Sequence, residues 1–283
     1  MYLRQRSLRT TIALIAVVAA ALTGLVLLVV LTNKKVDREL ARPPAPPAPP
    51  AKPVAPVKLT SKQIAALPLS TTWTKIARAE PDPQPFAPND GLLLHPQTSR
   101  VVYAEPGGPA IAMLPTTQLD NPTWLPVIES RPEWARVLLP SRPNGSTGWI
   151  YTGAGKTKES HSPYQVRIDL TARRLNLLKD GQQTGSWPVA IGTKDTPTPV
   201  GRTFLLASLS PPEVTYSPVI LPLGMHSEKL QTFDGGPGTV GLHGWPDTSA
   251  FGHAVSHGCV RLPKPALDAI SHIPLGTLII ITR

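Results

Sequence analysis

The sequence predicts a mostly-β protein. Its C-terminal part reads as a β-sandwich or mixed-sheet domain with one short helix, preceded by a smaller β-barrel-like module, a proline-rich linker and one transmembrane helix. Three observations carry this. Short apolar runs split by Gly, Pro and Asn clusters fill the chain from Gly91, apolar-polar alternation sets in at Tyr164, and one long uncharged apolar stretch lies near the N-terminus.

Residues 1–10 form a short basic head, read as cytoplasmic. Residues 11–32, TIALIAVVAAALTGLVLLVVLT, run 22 positions without a charge, and about 20 apolar residues suffice to cross the hydrocarbon core as a helix. A cleavable signal peptide is the rival, but its apolar region is normally about 7 to 15 residues and ends in a small-residue cleavage site. Arg4, Arg6 and Arg9 precede the span while Lys34, Lys35, Arg38 and Arg42 follow it, so charge alone does not orient it. The short head against the long foldable remainder favours an N-terminus inside and the bulk outside the cytoplasm.

The net charge is +10 and the pI about 9.9, and the distribution of that charge decides its meaning. Residues 1–57 carry 8 basic and 2 acidic groups, residues 58–163 carry 10 and 8, and residues 164–283 carry 10 and 8. The excess is therefore juxtamembrane, where it attracts anionic lipid or envelope polymer. No basic stripe interleaved with aromatics marks a nucleic-acid surface.

Residues 33–57 are a basic, proline-rich linker with eight prolines between Pro43 and Val57. Proline lacks the N–H that helix and sheet require, so such a run is a stiff polyproline spacer of about 3.1 Å per residue. Residues 58–90 are transitional, with one short helix expected near Ser61–Leu67 and a second proline cluster, EPDPQPFAP. Residues 91–155 read as a small all-β module, through SRVVYAEPGGPAIAMLP, TWLPVIES, EWARVLLP and TGWIYTG. The phrasing of these runs resembles the bacterial Src-homology-3-like domains, which implies a small barrel that positions or binds wall polymer; a plain structural spacer is the alternative.

From Tyr164 the alternating YQVRIDLTARRLNLLKDGQQTGSWPVAIG puts Val166, Ile168 and Leu170 on one strand face, with KDGQ as a hairpin turn. A short helix is expected at Lys264–His272, since proline is tolerated near a helix start. The closing TLIIITR reads as a buried strand. Residues 164–283 are enough for an independent core.

The chemistry gathers in GLHGWPDTSAFGHAVSHGCVRL, Gly241–Leu262, which holds three histidines, Ser256 and Cys259, the only cysteine of the chain. Outside the cytoplasm a lone thiol has no internal partner, so it is buried and inert, linked to another chain, or used. The neighbourhood favours use, because a thiol nucleophile needs a base, and His257 and His243 lie two and sixteen positions before it. Gly258 would let the backbone turn so that N–H groups face an oxyanion. Zinc held by His243, His253, His257 and Cys259 is the rival, but a hydrolytic zinc site wants a carboxylate base and Asp247 is the segment's only acid. Two residues apart on an extended chain is about 6.6 Å, too far for a hydrogen bond without a bend. That spacing favours His243 over His257 as the base.

GLHG followed by SHGCVRL, with TPTPVGRTFLLA, PLGMHSEKLQTFDGGPGTVGLHG and PLGTLIIIT, is similar to the signature of the L,D-transpeptidase family with the YkuD-type catalytic domain. The resemblance spans Tyr164–Arg283. It implies a mostly-β catalytic domain acting on peptidoglycan stem peptides, with Cys259 as nucleophile, His243 as proton donor and acceptor, and the Gly244 carbonyl orienting the imidazole. Ser256, His257 and Gly258 match the approach to the nucleophile, where oxyanion and substrate contacts are expected. Arg261 stands where some members carry Asn, and either binds a substrate carboxylate through its fork of donors or braces the loop. No metal or organic cofactor is implied, and a carbapenem is expected to acylate Cys259. The expected setting is the bacterial cell envelope, anchored by a single span. Transpeptidase, carboxypeptidase and protein attachment to the wall stay open as the activity, and a non-catalytic wall-binding scaffold is the contrasting reading.

Overall fold

The computed structural model describes residues 25, 27–31 and 53–283. The expected head, span and most of the linker thus lie outside the described residues, apart from residues 25 and 27–31, which are helical. Among the described residues no helix is long and apolar enough to cross a membrane. The end of the linker is tied down, because the Trp134 indole N–H donates to the Val54 carbonyl at 2.7 Å.

A helical turn, α1 (Ser61–Ala65), is closed by a capping box in which Thr60 and Gln63 bond each other's backbone. Ten short strands follow: β1 (Glu80–Pro81), β2 (Leu92–Pro96), β3 (Arg100–Tyr103), β4 (Ala110–Leu114), β5 (Thr117–Gln118), β6 (Asn121–Pro122), β7 (Leu125–Arg131), β8 (Trp134–Leu138), β9 (Ser146–Tyr151) and β10 (Thr157–His161). Eight of them make one sheet in the order β10-β2-β7-β8-β9-β3-β4, with β1 on β9. The stretch 91–155 supplies β2 to β9, while β1 and β10 come from outside it.

The remaining chain forms β11 (Tyr164–Asp169), β12 (Arg174–Lys179), β13 (Gln182–Pro188), β14 (Ile191–Gly192), β15 (Gly201–Phe204), β16 (Ile220–His226), β17 (Thr239–Gly244), β18 (Ala254–Ser256), β19 (Val260–Leu262), helix α2 (Lys264–Ile270) and β20 (Leu278–Thr282). Asp180 and Gly181 join β12 to β13 with φ of 50° and 77°, the two left-handed residues that a tight hairpin turn requires. The helix ends at Ile270, two residues before the expected His272. Its buried Ala266, Leu267 and Ile270 share one face.

A five-stranded sheet, β13-β12-β11-β20-β15, and a three-stranded one, β16-β17-β19, enclose the C-terminal core together with α2. The run at the C-terminus is apolar throughout because β20 is covered on both faces. Ile279 and Ile281 enter the C-terminal core, whereas Leu278 and Ile280 join Phe204 and Leu206 against Leu94, Val102, Leu125 and Val137 of the N-terminal sheet. Beside that second cluster Arg202 of β15 grips Asp82 through two charge-assisted hydrogen bonds, Nε to Oδ2 at 2.5 Å and Nη2 to Oδ1 at 2.7 Å, with both side chains buried. Its third nitrogen, Nη1, donates to the Ala87 carbonyl at 3.1 Å. Further along the same contact His226, at the end of β16, is fully buried and donates from Nε2 to the Thr72 carbonyl at 2.8 Å.

Two predictions follow from these contacts. Asp82→Ala leaves a buried guanidinium unpaired and is expected to lower urea stability by about 3 to 5 kcal/mol, whereas Asp82→Leu combined with Arg202→Met should cost much less; equal losses in the two would contradict the assignment. Burial, reinforced by the Arg142 charge, pushes the His226 imidazole down from 6.5 to about 4. The unfolded chain then takes the proton first, so this stability is fully present above pH 6.5 and drains as pH falls toward 4. Linkage sets its size at roughly 3 kcal/mol at most. Melting curves of wild type and His226→Gln between those pH values should diverge by that margin if the imidazole is responsible, and run parallel if it is not.

Candidate active site

The site grows out of one parallel strand pair. β17 and β19 align Leu242 with Val260, His243 with Arg261 and Gly244 with Leu262. Alternation sends Leu242 and Val260 into the core and leaves His243 and Arg261 on the opposite face. Cys259 precedes Arg261 by two and emerges on that same face, one step along the sheet from His243. Diagonal neighbours on paired strands stand about 7 to 8 Å apart, within reach of an aromatic ring. His243 and Cys259 accordingly line one cleft of about 440 Å³ with Arg261, Ser256 and His257. His257 is exposed at its rim, its ring 5.6 Å from that of Phe233.

The loop carrying the thiol is braced from within. Gly258 takes φ of 122°, a left-handed conformation that side chains resist. Its N–H donates to Ser256 Oγ at 3.1 Å, and that hydroxyl donates to the Cys259 carbonyl at 2.5 Å. From the connection between β14 and β15, Thr198 Oγ1 donates to the Gly258 carbonyl at 2.8 Å and Thr196 Oγ1 to the Ser256 carbonyl at 3.2 Å. Ser256 and Gly258, expected among the oxyanion and substrate contacts, thus spend these groups on the loop itself, since a tight buried turn must pair its own backbone polar atoms.

His243 is buried and fixed. Its Nδ1–H donates to the Gly244 carbonyl at 2.8 Å, which leaves Nε2 as the acceptor of the neutral ring. Gly244 is held in turn, its N–H donating to Ser217 Oγ at 2.8 Å while that hydroxyl donates to the Val219 carbonyl at 2.6 Å. A side chain at 244 would press within 3.1 Å of Ser217 Oγ and 3.2 Å of Leu267 Cδ2. Tyr216 stands edge-on to the imidazole at 5.1 Å, and Trp245 lies 6.1 Å away. This aromatic enclosure explains the electrostatics: burial lowers the His243 pKa, opposed by the Gly244 hydrogen bond and assisted by the Arg261 charge.

Burial also pushes the Cys259 thiol up, against a hydrogen bond from the Gly241 backbone and the pull of Arg261. Both shifts favour the uncharged form, thiol at Cys259 and imidazole at His243. Arg261 lies with its guanidinium carbon 3.5 Å from the Trp245 ring centroid, a close cation–π stack, and its Nε is buried without a partner among the described residues. Among those residues no group of three or more His, Cys, Asp and Glu is gathered as metal ligands are, and His253 is exposed and does not line the cleft.

The other wall is the segment Ser227–Gly238, which contributes Leu230, Phe233 and Asp234 to the lining. Its tip is a tight turn at Asp234 and Gly235, with φ of 49° and 73°, between Phe233 and Gly236, whose backbones exchange hydrogen bonds. The stretches holding this wall and the two threonines carried the resemblance in sequence but no role, and Tyr216 and Ser217 were missed. Trp245 had a signal, two positions after His243 on the same strand, whereas Tyr216 and Ser217 reach the site from before β16 and carried none.

Residues 163–281 match the family model of the L,D-transpeptidase catalytic domain (YkuD). Two curated proteins provisionally named as L,D-transpeptidase YkuD are similar. That of Bacillus licheniformis is 27% identical over 52% of this chain and 86% of its own length, and that of Bacillus subtilis 26% over 43% and 67%. Among solved structures an L,D-transpeptidase from Mycobacterium smegmatis aligns at 16% identity and a TM-score of 0.38, covering 82% of this chain and all of that one.

The raised thiol pKa has a measurable signature. Only the thiolate is alkylated, and its pKa lies above the ordinary 9.0, so the rate of Cys259 reaction with iodoacetamide should still be climbing as pH passes 9. A rate already at its plateau near pH 6 would instead reveal a thiolate–imidazolium ion pair.

Proposed function

We propose that residues 163–281, a YkuD-type L,D-transpeptidase catalytic domain, carry out cysteine acyl transfer on peptidoglycan stem peptides, with Cys259 as nucleophile and His243 as base and acid. The observation that carries this reading is the shared face of β17 and β19, which sets a tautomer-fixed imidazole in the same cleft as the chain's one thiol. As Sγ attacks the carbonyl carbon of the third stem residue, its proton passes to His243 Nε2. The Gly244 carbonyl steadies the imidazolium that forms. Collapse of the tetrahedral oxyanion breaks the C–N bond to the terminal D-alanine, whose nitrogen takes the proton back from Nε2. A thioester remains. The side-chain amine of a diamino acid on a neighbouring stem then attacks it, gives up a proton through His243 to the departing sulfur, and leaves a 3-to-3 cross-link. Water in the same place gives a tripeptide.

Arg261 suits a substrate carboxylate, since it lines the cleft with its guanidinium stacked on Trp245 and offers a fork of donors. The setting proposed is the outer side of a bacterial cytoplasmic membrane. The uncharged run of residues 11–32 supports an anchor, and wall-polymer contact by residues 91–155 would keep the cleft near its substrate.

Intact-mass spectrometry of the full chain with a disaccharide tetrapeptide tests the reading. Wild type should show an acyl adduct and a cross-linked dimer, Cys259→Ala neither, and His243→Ala turnover lower by about 10² to 10⁴, the usual worth of a positioned acid-base group. Tripeptide without dimer would make the enzyme a carboxypeptidase. A folded, reduced wild type giving neither adduct nor product would leave the wall-binding scaffold as the better account. A carbapenem, whose strained lactam imitates the acyl donor, should add its own mass to wild type and not to Cys259→Ala.

A further inference from the structure

The wall Ser227–Gly238 is held from outside the catalytic domain. Arg142, in the connection between β8 and β9, donates from Nη1 to the Ser227 carbonyl at 3.1 Å and from Nη2 to the Pro237 carbonyl at 2.7 Å, so that one guanidinium spans both strands of the wall's neck. Two residues on, Asn144 pairs with His226 as a strand would. Its Nδ2 donates to the His226 carbonyl at 2.7 Å and its Oδ1 accepts the His226 N–H at 2.8 Å. The neck is narrow because Ser227 N–H donates to the Gly238 carbonyl at 2.8 Å. Any Cβ at Gly238, which has φ of 68°, would collide with the Leu230 carbonyl. Arg142 is itself anchored, its backbone N–H donating to Thr74 and its carbonyl accepting from Ile76, each at 2.9 Å. At the far end the wall reaches the nucleophile loop, where Phe233 lies against His257.

We infer that Arg142 and Asn144 are positioning residues for the cleft: the N-terminal sheet straps the 227–238 wall against the Cys259 loop and thereby sets which acyl donors can enter. A strap of this kind acts on access and substrate fit and leaves the Cys259–His243 chemistry alone, because neither residue lines the cleft. Arginine is suited to it, since its planar fork meets two carbonyls at once where lysine offers a single point of charge. The effect on turnover rests on the acyl-transfer reading. The effect on access does not.

The experiment compares full-length wild type, Arg142→Ala, Arg142→Lys and Asn144→Ala, each checked for native circular dichroism. Cys259 is the chain's only cysteine, so alkylation reports on this cleft alone. The expected result is that Arg142→Ala speeds reaction with a bulky maleimide relative to iodoacetamide by roughly fivefold or more, as suits the loss of two hydrogen bonds from the closed form. Arg142→Lys, which keeps the charge and loses the fork, should fall between the two. Amide exchange over 227–238 should quicken in the same order. On the tetrapeptide, KM should rise about threefold or more with kcat within about twofold, the pattern of lost ground-state fit. An unchanged maleimide-to-iodoacetamide ratio and unchanged exchange in the folded variants overturn the strap, even if turnover is intact. A wild type without turnover whose ratio still responds to Arg142→Lys defeats the acyl-transfer reading and leaves the strap standing.

Discussion

The arrangement at the cleft depends on the parallel pairing of β17 with β19. Because side chains alternate along a strand, this one register places Leu242 and Val260 in the core and His243, Cys259 and Arg261 together on the outer face. A slip of one residue would send the imidazole inward and the leucine out, so core packing and site geometry are fixed by the same hydrogen bonds. The parallel direction matters as well. It requires a crossover between the two strands, and that crossover, residues 245–259, carries Trp245 at its start and the braced turn of Ser256 and Gly258 at its end.

A second constraint lies one layer below. β20 is apolar on both faces because it separates two cores, and the end of β15 with the two residues after it repeats the pattern, Leu205 on one side and Phe204 and Leu206 on the other. The N-terminal sheet therefore packs directly on the β20 and β15 side of the five-stranded sheet. With Arg202 locked to Asp82 and His226 tied to Thr72, it can bear on the 227–238 wall at a defined distance.

The electrostatic state of the site follows from its enclosure. Tyr216 and Trp245 take water away from His243, which lowers its proton affinity, while the same dry surroundings disfavour a thiolate at Cys259. Both shifts favour the uncharged forms of the two groups. Arg261 adds a positive charge to the cleft lining, its guanidinium stacked on the Trp245 ring.

The mostly-β texture, the buried last strand, the KDGQ turn and the short helix after Pro263 were legible in the sequence, because each is written in local periodicity or in the conformational limits of Gly and Pro. That His243 and Cys259 belong to one candidate site was legible for the same kind of reason, since few residue types suit thiol chemistry and they stand close in the chain, and both line the cleft. Tertiary structure alone decided that Ser256 and Gly258 serve the loop, because their hydrogen bonds are closed by Thr196 and Thr198, some sixty residues away. It alone brought Tyr216 and Ser217 behind the imidazole and Arg142 onto the neck of the wall. Those contacts join segments 27 to 95 residues apart. No local pattern encodes which distant backbone carbonyl a given side chain will find once two sheets have packed.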